Sequence, residues 1–160
     1  MKLAVISDTH LSSPTKYLEE IYYKYMHDAD LILHAGDIVT SEVLDFFPKE
    51  KTVAVRGNMD REDLVYKLPE KKIIEVKNFR IGIVHGWGAP FGMEKRVFEV
   101  FKEEKVDCIV FGHTHNGVNH KKEGILLFNP GSPTDRFFAK QNSIGILHIE
   151  NEIKGEIIFL

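Results

Sequence analysis

Cysteine is almost absent: Cys108 is the only one among 160 residues, so no intramolecular disulfide forms. That usage points to a reducing compartment and sets the expectation of a cytoplasmic protein. Cys108 sits in an apolar run and reads as a small core residue. Long hydrophobic runs are missing too. None approaches the roughly 20 residues needed to cross a bilayer, and the first strand-like run starts almost at Met1 without a basic or apolar leader, so no membrane partner is expected. Charge of one sign is not in excess. Lys and Arg number 21 against 24 Asp and Glu, for a net charge of -3, and no run of like charges marks a nucleic-acid arm. Any nucleic-acid contact would have to be local.

What the chain does have is a repeated pattern. Leu3-Ala4-Val5-Ile6 runs into Asp8 and His10, Leu31-Ile32-Leu33 into Asp37, and Val53-Ala54-Val55 into Asn58. Ile81-Gly82-Ile83-Val84 runs into His85, and Cys108-Ile109-Val110-Phe111 into His113 and His115. Runs of this length and composition read as buried strands. In an open α/β sheet the ligand crevice lies beyond the carboxyl ends of the strands, so five strands of one such sheet would deliver their donors to a single pocket.

Strand-like and helical patterns alternate up to about residue 115. Helices are expected over 15–27, 41–47 and 93–104, the last with Val97, Phe98, Val100 and Phe101 toward one broad face. Beyond His115 the stretches Val118–Lys121, Gly124–Phe128, Ser143–Ile149 and Lys154–Phe159 read as short strands. Joined by Lys72–Val76, they are expected to form a largely antiparallel second sheet. With no internal repeat, low-complexity tract or linker, the length fits one α/β domain over 1–160, two sheets flanked by helices.

A single Asp after a strand is more often a turn residue than a ligand, and a lone His more often a satisfied polar group. The set is different. Glycine directly precedes Asp37, Asn58 and His113, as a tight strand-to-loop turn around an ion requires. Asp8, His10, Asp37, Asn58, His85, His113 and His115 offer more donors than one four- to six-coordinate ion uses once water is included. Two divalent transition-metal ions are therefore expected as cofactors, with a carboxylate such as Asp37 able to bridge them. Imidazole, carboxylate and amide donors suit manganese first, and nickel, cobalt, iron or zinc as well. Two such ions against two carboxylates leave a charge of about +2, which attracts a phosphate ester.

The stretches Ser7-Asp8-Thr9-His10, Ala35-Gly36-Asp37, Arg56-Gly57-Asn58, Val84-His85-Gly86 and Phe111-Gly112-His113-Thr114-His115 occur in an order that resembles the calcineurin-like metallophosphoesterases. Among them the chain is most similar to the small YfcE-type phosphodiesterases. The resemblance implies a four-layer αββα sandwich of two mixed sheets flanked by helices. It implies a dinuclear centre, Asp8, His10, Asp37 and His115 holding one ion and Asp37, Asn58, His85 and His113 the other. It also implies hydrolysis of a small-molecule phosphodiester, with Asp37, Asn58 and His85 in the catalytic centre. The segment Asn129-Pro130-Gly131-Ser132 is similar to one beside the site in this subgroup, which makes Ser132 a candidate neighbour of the metals.

Two positions depart from the pattern. Gly57-Asn58-Met59-Asp60 carries Met where many relatives place a His that helps protonate the leaving group. His85-Gly86-Trp87 carries Trp where many have a second His. The same fold also serves as a protein-docking scaffold in the retromer subunit similar to this family, and the complete donor set favours the enzyme over that alternative. A two-fold homodimer is expected, with Phe137-Phe138 as an exposed apolar contact.

Overall fold

The computed structural model describes residues 1–160. Its strands are β1 (Lys2–Ile6), β2 (Leu31–His34), β3 (Thr52–Ala54), β4 (Lys71–Val76), β5 (Phe79–Val84), β6 (Cys108–Val110), β7 (Val118–Lys122), β8 (Ile125–Asn129), β9 (Ser143–Ile149) and β10 (Ile153–Phe159). The helices are α1 (Lys16–Ile21), α2 (Ser41–Phe46), α3 (Glu62–Lys67) and α4 (Met93–Val100). One sheet runs β10-β9-β1-β2-β3 and the other β4-β5-β6-β8-β7. Both are mixed: β1, β2 and β3 are parallel, β9 pairs antiparallel to β1 and β10 antiparallel to β9, while β5, β6 and β8 are parallel with antiparallel β4 and β7 at the edges.

Three apolar clusters separate four layers. Leu3, Val5 and Leu33 face Ile81, Ile83, Cys108, Val110 and Phe128 between the sheets. The alternate residues Ala4, Ile6 and Ile32 point the other way, onto Leu18 and Ile21 of α1, Val43 of α2 and Leu64 of α3. On the far side Ile109 and Leu127 pack against Met93 and Val97 of α4. Central strands are thus buried on both faces, which is why they read as unbroken apolar runs. The result is the four-layer αββα sandwich of two mixed sheets that the resemblance implies.

Several expectations are corrected. The five donor-bearing strands do not share one sheet: β1, β2 and β3 lie in the first, β5 and β6 in the second. β9 and β10 join the first sheet, not an antiparallel second one, because β9 pairs with β1 along Lys2–Val5 and sends Ile144 and Ile146 to the helical side, Leu147 and Ile149 to the inter-sheet core. Lys71–Val76 does enter the second sheet, as β4. The first helix begins after Thr15, whose hydroxyl accepts the Leu18 N–H at 3.2 Å, and widens into a π-helix over Tyr22–Met26. Helix α3 has no counterpart among the expected helices, having only six residues and one buried side chain, Leu64. No helix is long and apolar enough to cross a membrane.

Candidate metal centre

The carboxyl ends of β1, β2 and β3 and those of β5 and β6 meet at one edge of the sandwich, so donors from two sheets converge there. Backbone bonds between the loops lock them together. Asp8 N–H donates to Gly36 O at 3.0 Å, His10 N–H to Asp37 O at 3.1 Å and Gly112 N–H to His85 O at 3.1 Å. Asp8, His10, Asp37, His113 and His115 all have positive φ, between 46° and 68°. Non-glycine residues rarely adopt this region, and such strain concentrates at functional sites. Two glycines are needed for space. A Cβ on Gly57 would fall on the Asp37 carboxylate and backbone nitrogen, and one on Gly112 on the Ser7 hydroxyl and Asp8 Oδ2.

The side chains form two overlapping groups, Asp8 with His10 and His115, and Asp8 with Asp37 and His85, the donor atoms of each within 4.8 Å of one another. Asp37 Oδ2 sits between imidazoles, 3.5 Å from His10 Nε2 and 3.3 Å from His85 Nε2. Asp8 Oδ1 is equally central, 3.3 Å from His115 Nε2, 3.8 Å from His10 Nε2 and 3.9 Å from His85 Nε2. His113 Nδ1 lies 2.9 Å from Asn58 Oδ1 and 3.4 Å from His85 Nε2. All seven sequence-expected residues thus gather at this edge.

Three of the four imidazoles are held by their outer nitrogen. His85 Nδ1 meets Ala35 O at 2.7 Å, His113 Nε2 meets Gly88 O at 2.7 Å, and His115 Nδ1 meets Asp135 Oδ2 at 2.6 Å. Each of these acceptors fixes the proton on the outer nitrogen and leaves the inner lone pair free for a cation. His10 has no such protein acceptor. Burial works against a charge on His85 and His115, but the carboxylates overcome it: Asp37 and Asp8 raise the His85 pKa, and Asp8 with Asp135 pushes His115 up to about 9. A field that draws protons to these nitrogens is one that draws metal cations, and the donor set fits them.

Asp135 is absent from the sequence reading. Burial alone would raise its pKa, but the Phe137 N–H, His115 and the Ala139 N–H hold its carboxyl down at about 2. Ser132 donates to Asp8 O at 2.7 Å and accepts the Asp135 N–H at 3.1 Å, so it ties the Asp135 loop to the first donor strand. Asn129 Nδ2 donates to Gly112 O at 2.8 Å, tying the same segment to the loop carrying His113 and His115. His34 is fully buried, and burial lowers its pKa to about 3. It accepts the Gly36 N–H at 3.3 Å and supports the turn before Asp37 as a neutral ring. Trp87 is half exposed beside Asn58 and His85.

Residues 1–152 match the model of the calcineurin-like phosphoesterase superfamily domain. A probable metallophosphoesterase of Methanocaldococcus jannaschii is 38% identical over 161 residues, spanning 99% of this chain and 81% of the relative. Among solved structures, an archaeal phosphodiesterase superposes with a TM-score of 0.76 at 24% identity over 100% of both chains. Vps29 of Entamoeba histolytica, complexed with zinc, superposes with a TM-score of 0.71 at 23% identity over 99% of each. At these identities the two structures speak for the fold.

Proposed function

The chain belongs to the calcineurin-like phosphoesterase superfamily, and from that premise we propose that it hydrolyses phosphodiesters at a dinuclear centre of divalent transition-metal ions, manganese first among them. The observation that supports this most is the pair of overlapping donor groups sharing Asp8, with Asp37 Oδ2 between His10 and His85. In this reading Asp8, His10, Asp37 and His115 would hold one ion and Asp37, Asn58, His85 and His113 the other, with Asp37 common to both. Such a centre, when occupied, supplies Lewis-acid stabilisation of a phosphoryl group and a water acidic enough to attack at neutral pH.

The chain's own residues set charge and orientation. Asn58 contributes a neutral oxygen, which keeps the site positive toward an anionic diester. His85 is held by Ala35 O and His115 by Asp135, so their inner nitrogens stay in place while substrate exchanges. Asp37 divides its oxygens, Oδ1 accepting the Met59 N–H at 2.8 Å and Oδ2 facing the imidazoles. The archaeal phosphodiesterase that shares the fold fits the same reaction.

A scaffold is the second reading, supported by the Vps29 likeness. One experiment separates the two: metal analysis of the purified protein with turnover of bis(p-nitrophenyl) phosphate, the monoester run beside it. Two ions per chain, loss of diester hydrolysis on chelation and recovery with manganese, cobalt or nickel are expected. Full activity at a metal content near zero would overturn the two-metal reading, and metal-loaded protein inert toward every diester would favour the scaffold.

A further inference from the structure

Three clefts open beside the donor cluster; one, about 610 Å³, reaches it only at His10 and shares Arg136 with its neighbour, and the other two differ in whether their cations are free. The first of these two, about 380 Å³, is walled in part by Arg56, Lys71 and Trp87. Its cations are already paired, Arg56 with Glu70 and Lys71 with Glu104. The second, about 570 Å³, has His10, Asp37 and His115 at its base and Met59, Arg136, Phe137 and Phe138 around it. That volume lies in the range of small-molecule sites, roughly 300–1,000 Å³. Arg136 is exposed there and has neither a carboxylate partner nor a hydrogen bond.

The aromatic rings beside Arg136 are open to solvent, Phe137 at 87% and Phe138 at 76%. Two adjacent exposed rings at the rim of a cleft offer an apolar contact surface to what enters it. The loop that presents them is fastened to the metal centre. While holding His115, the Asp135 carboxylate also accepts the backbone N–H groups of Phe137 at 2.8 Å, Phe138 at 3.0 Å and Ala139 at 2.7 Å. From the other side Asn116 accepts the Lys140 N–H at 3.1 Å and donates to Phe138 O at 3.4 Å. The Phe138 ring stands edge-on to His115, centroids 6.0 Å apart, within reach of an ester group whose phosphorus is held at the donors.

We propose that Arg136, Phe137 and Phe138 form the specificity subsite of this centre, selecting diesters in which one ester group carries a flat aromatic ring, nucleoside esters being the biological class with that chemistry. The inference rests on the phosphodiesterase reading and deepens it. Arg136 supplies a planar donor pair for the phosphoryl oxygens, and the phenyl rings give a stacking face for the ring of the retained group. A small ligand fits better than a nucleic-acid strand. The net charge is -3, whereas strand binding is driven by many phosphate neutralisations.

The test uses manganese-loaded protein and three diesters with the same p-nitrophenolate leaving group and a methyl, phenyl or thymidine retained group. The parent should prefer the phenyl and thymidine esters to the methyl ester by about tenfold in kcat/KM, mainly through KM, as base–aromatic stacking allows. In Phe138→Ala, and more so with Phe137→Ala added, that ratio should collapse toward one, while Phe138→Tyr restores it. Arg136→Ala should raise KM on all three. Melting curves verify that the variants fold. A parent indifferent to the retained group, or a ratio that the Phe variants leave intact, overturns the subsite. So does a variant that changes from dimer to monomer with its ratio intact, because the rings would then belong to a contact with a second copy. A parent inert to all three esters defeats the phosphodiesterase reading instead. The subsite is then judged by calorimetric binding of thymidine 5′-phosphate against methyl phosphate: a preference lost in the Phe variants upholds it, and no preference overturns it. Tighter binding of a short single-stranded oligonucleotide than of the mononucleotide overturns the small-ligand form.

Discussion

At the mouth of the donor cluster a thioether stands where related sites carry an imidazole. Met59 is 57% exposed to the cleft, whereas its neighbour Asp60 is buried, and although burial raises its pKa, both carboxylate oxygens are engaged by backbone donors, the Val39 N–H at 2.6 Å and the Gly57 N–H at 2.7 Å. Positioned general acids contribute about 10² to 10⁴ in rate. Turnover should therefore fall steeply as the leaving-group pKa rises, and Met59→His should help the poor leaving groups selectively. A graded series of aryl phosphodiesters at fixed metal loading measures this; a flat dependence in the parent, with chemistry rate-limiting, would reveal another proton source. Asp135 invites a second substitution. Loss of the carboxylate behind a ligating imidazole typically weakens metal affinity by about 10- to 100-fold. Asp135→Ala should show that loss in a calorimetric titration, and Asp135→Asn less of it, because an amide oxygen still accepts the His115 Nδ1–H. Equal affinity in all three proteins would remove Asp135 from the centre. The seven donors were legible because each follows an apolar run directly. Asp135 was not: it lies 20 residues from His115, and within Pro133-Thr134-Asp135 it reads as an ordinary turn residue.

Among the elements, strands were easier to find than to place. Continuous apolar runs mark β1, β2, β5, β6, β8 and β9, but a strand buried on both faces, as β9 is, shows nothing of which sheet it joins, and the half-exposed edge strand β10 follows β9 through their hairpin. The pairing that decides it, β9 with β1, joins residues from opposite ends of the chain. Short α3 lacked the repeated apolar positions that reveal a helix, whereas the glycine-plus-donor turns between strand and helix carried their geometry in sequence. One of these turns can be tested directly. Gly57→Ala places a methyl group on the Asp37 carboxylate and on its backbone nitrogen, a rigid neighbour that cannot swing aside. Overpacking of this kind costs about 1–3 kcal/mol. The loop must also move Asp37 or Asn58, so the variant should lose metal affinity as well as thermal stability. Parental affinity in a folded Gly57→Ala protein would show that the close approach of these two turns is not needed for binding.

For the molecule as a whole, the edge where the two sheets meet concentrates cost in one place. Asp8 and Asp37 bury their carboxylates there, 0% and 2% exposed, and five of the donor residues hold left-handed backbone. Buried charges brought together need a counter-charge, which the imidazoles provide only when protonated and metal cations provide outright. Stability should then be linked to occupancy. An ion that binds the native but not the unfolded chain stabilises it by about 2.7 kcal/mol at a hundred times its Kd. For a chain of this length each kcal/mol moves Tm by about 2–4 °C, so the first ion alone should raise it by roughly 5–10 °C. Scanning calorimetry with chelator and then with graded manganese reads the shift, and Asp37→Asn should forfeit most of it, because its Oδ2 faces both His10 and His85. A melting temperature unmoved by manganese, at concentrations where direct titration shows the ion bound, would mean that the sheet edge is rigid without metal and that its strain is balanced by the hydrogen bonds between its loops.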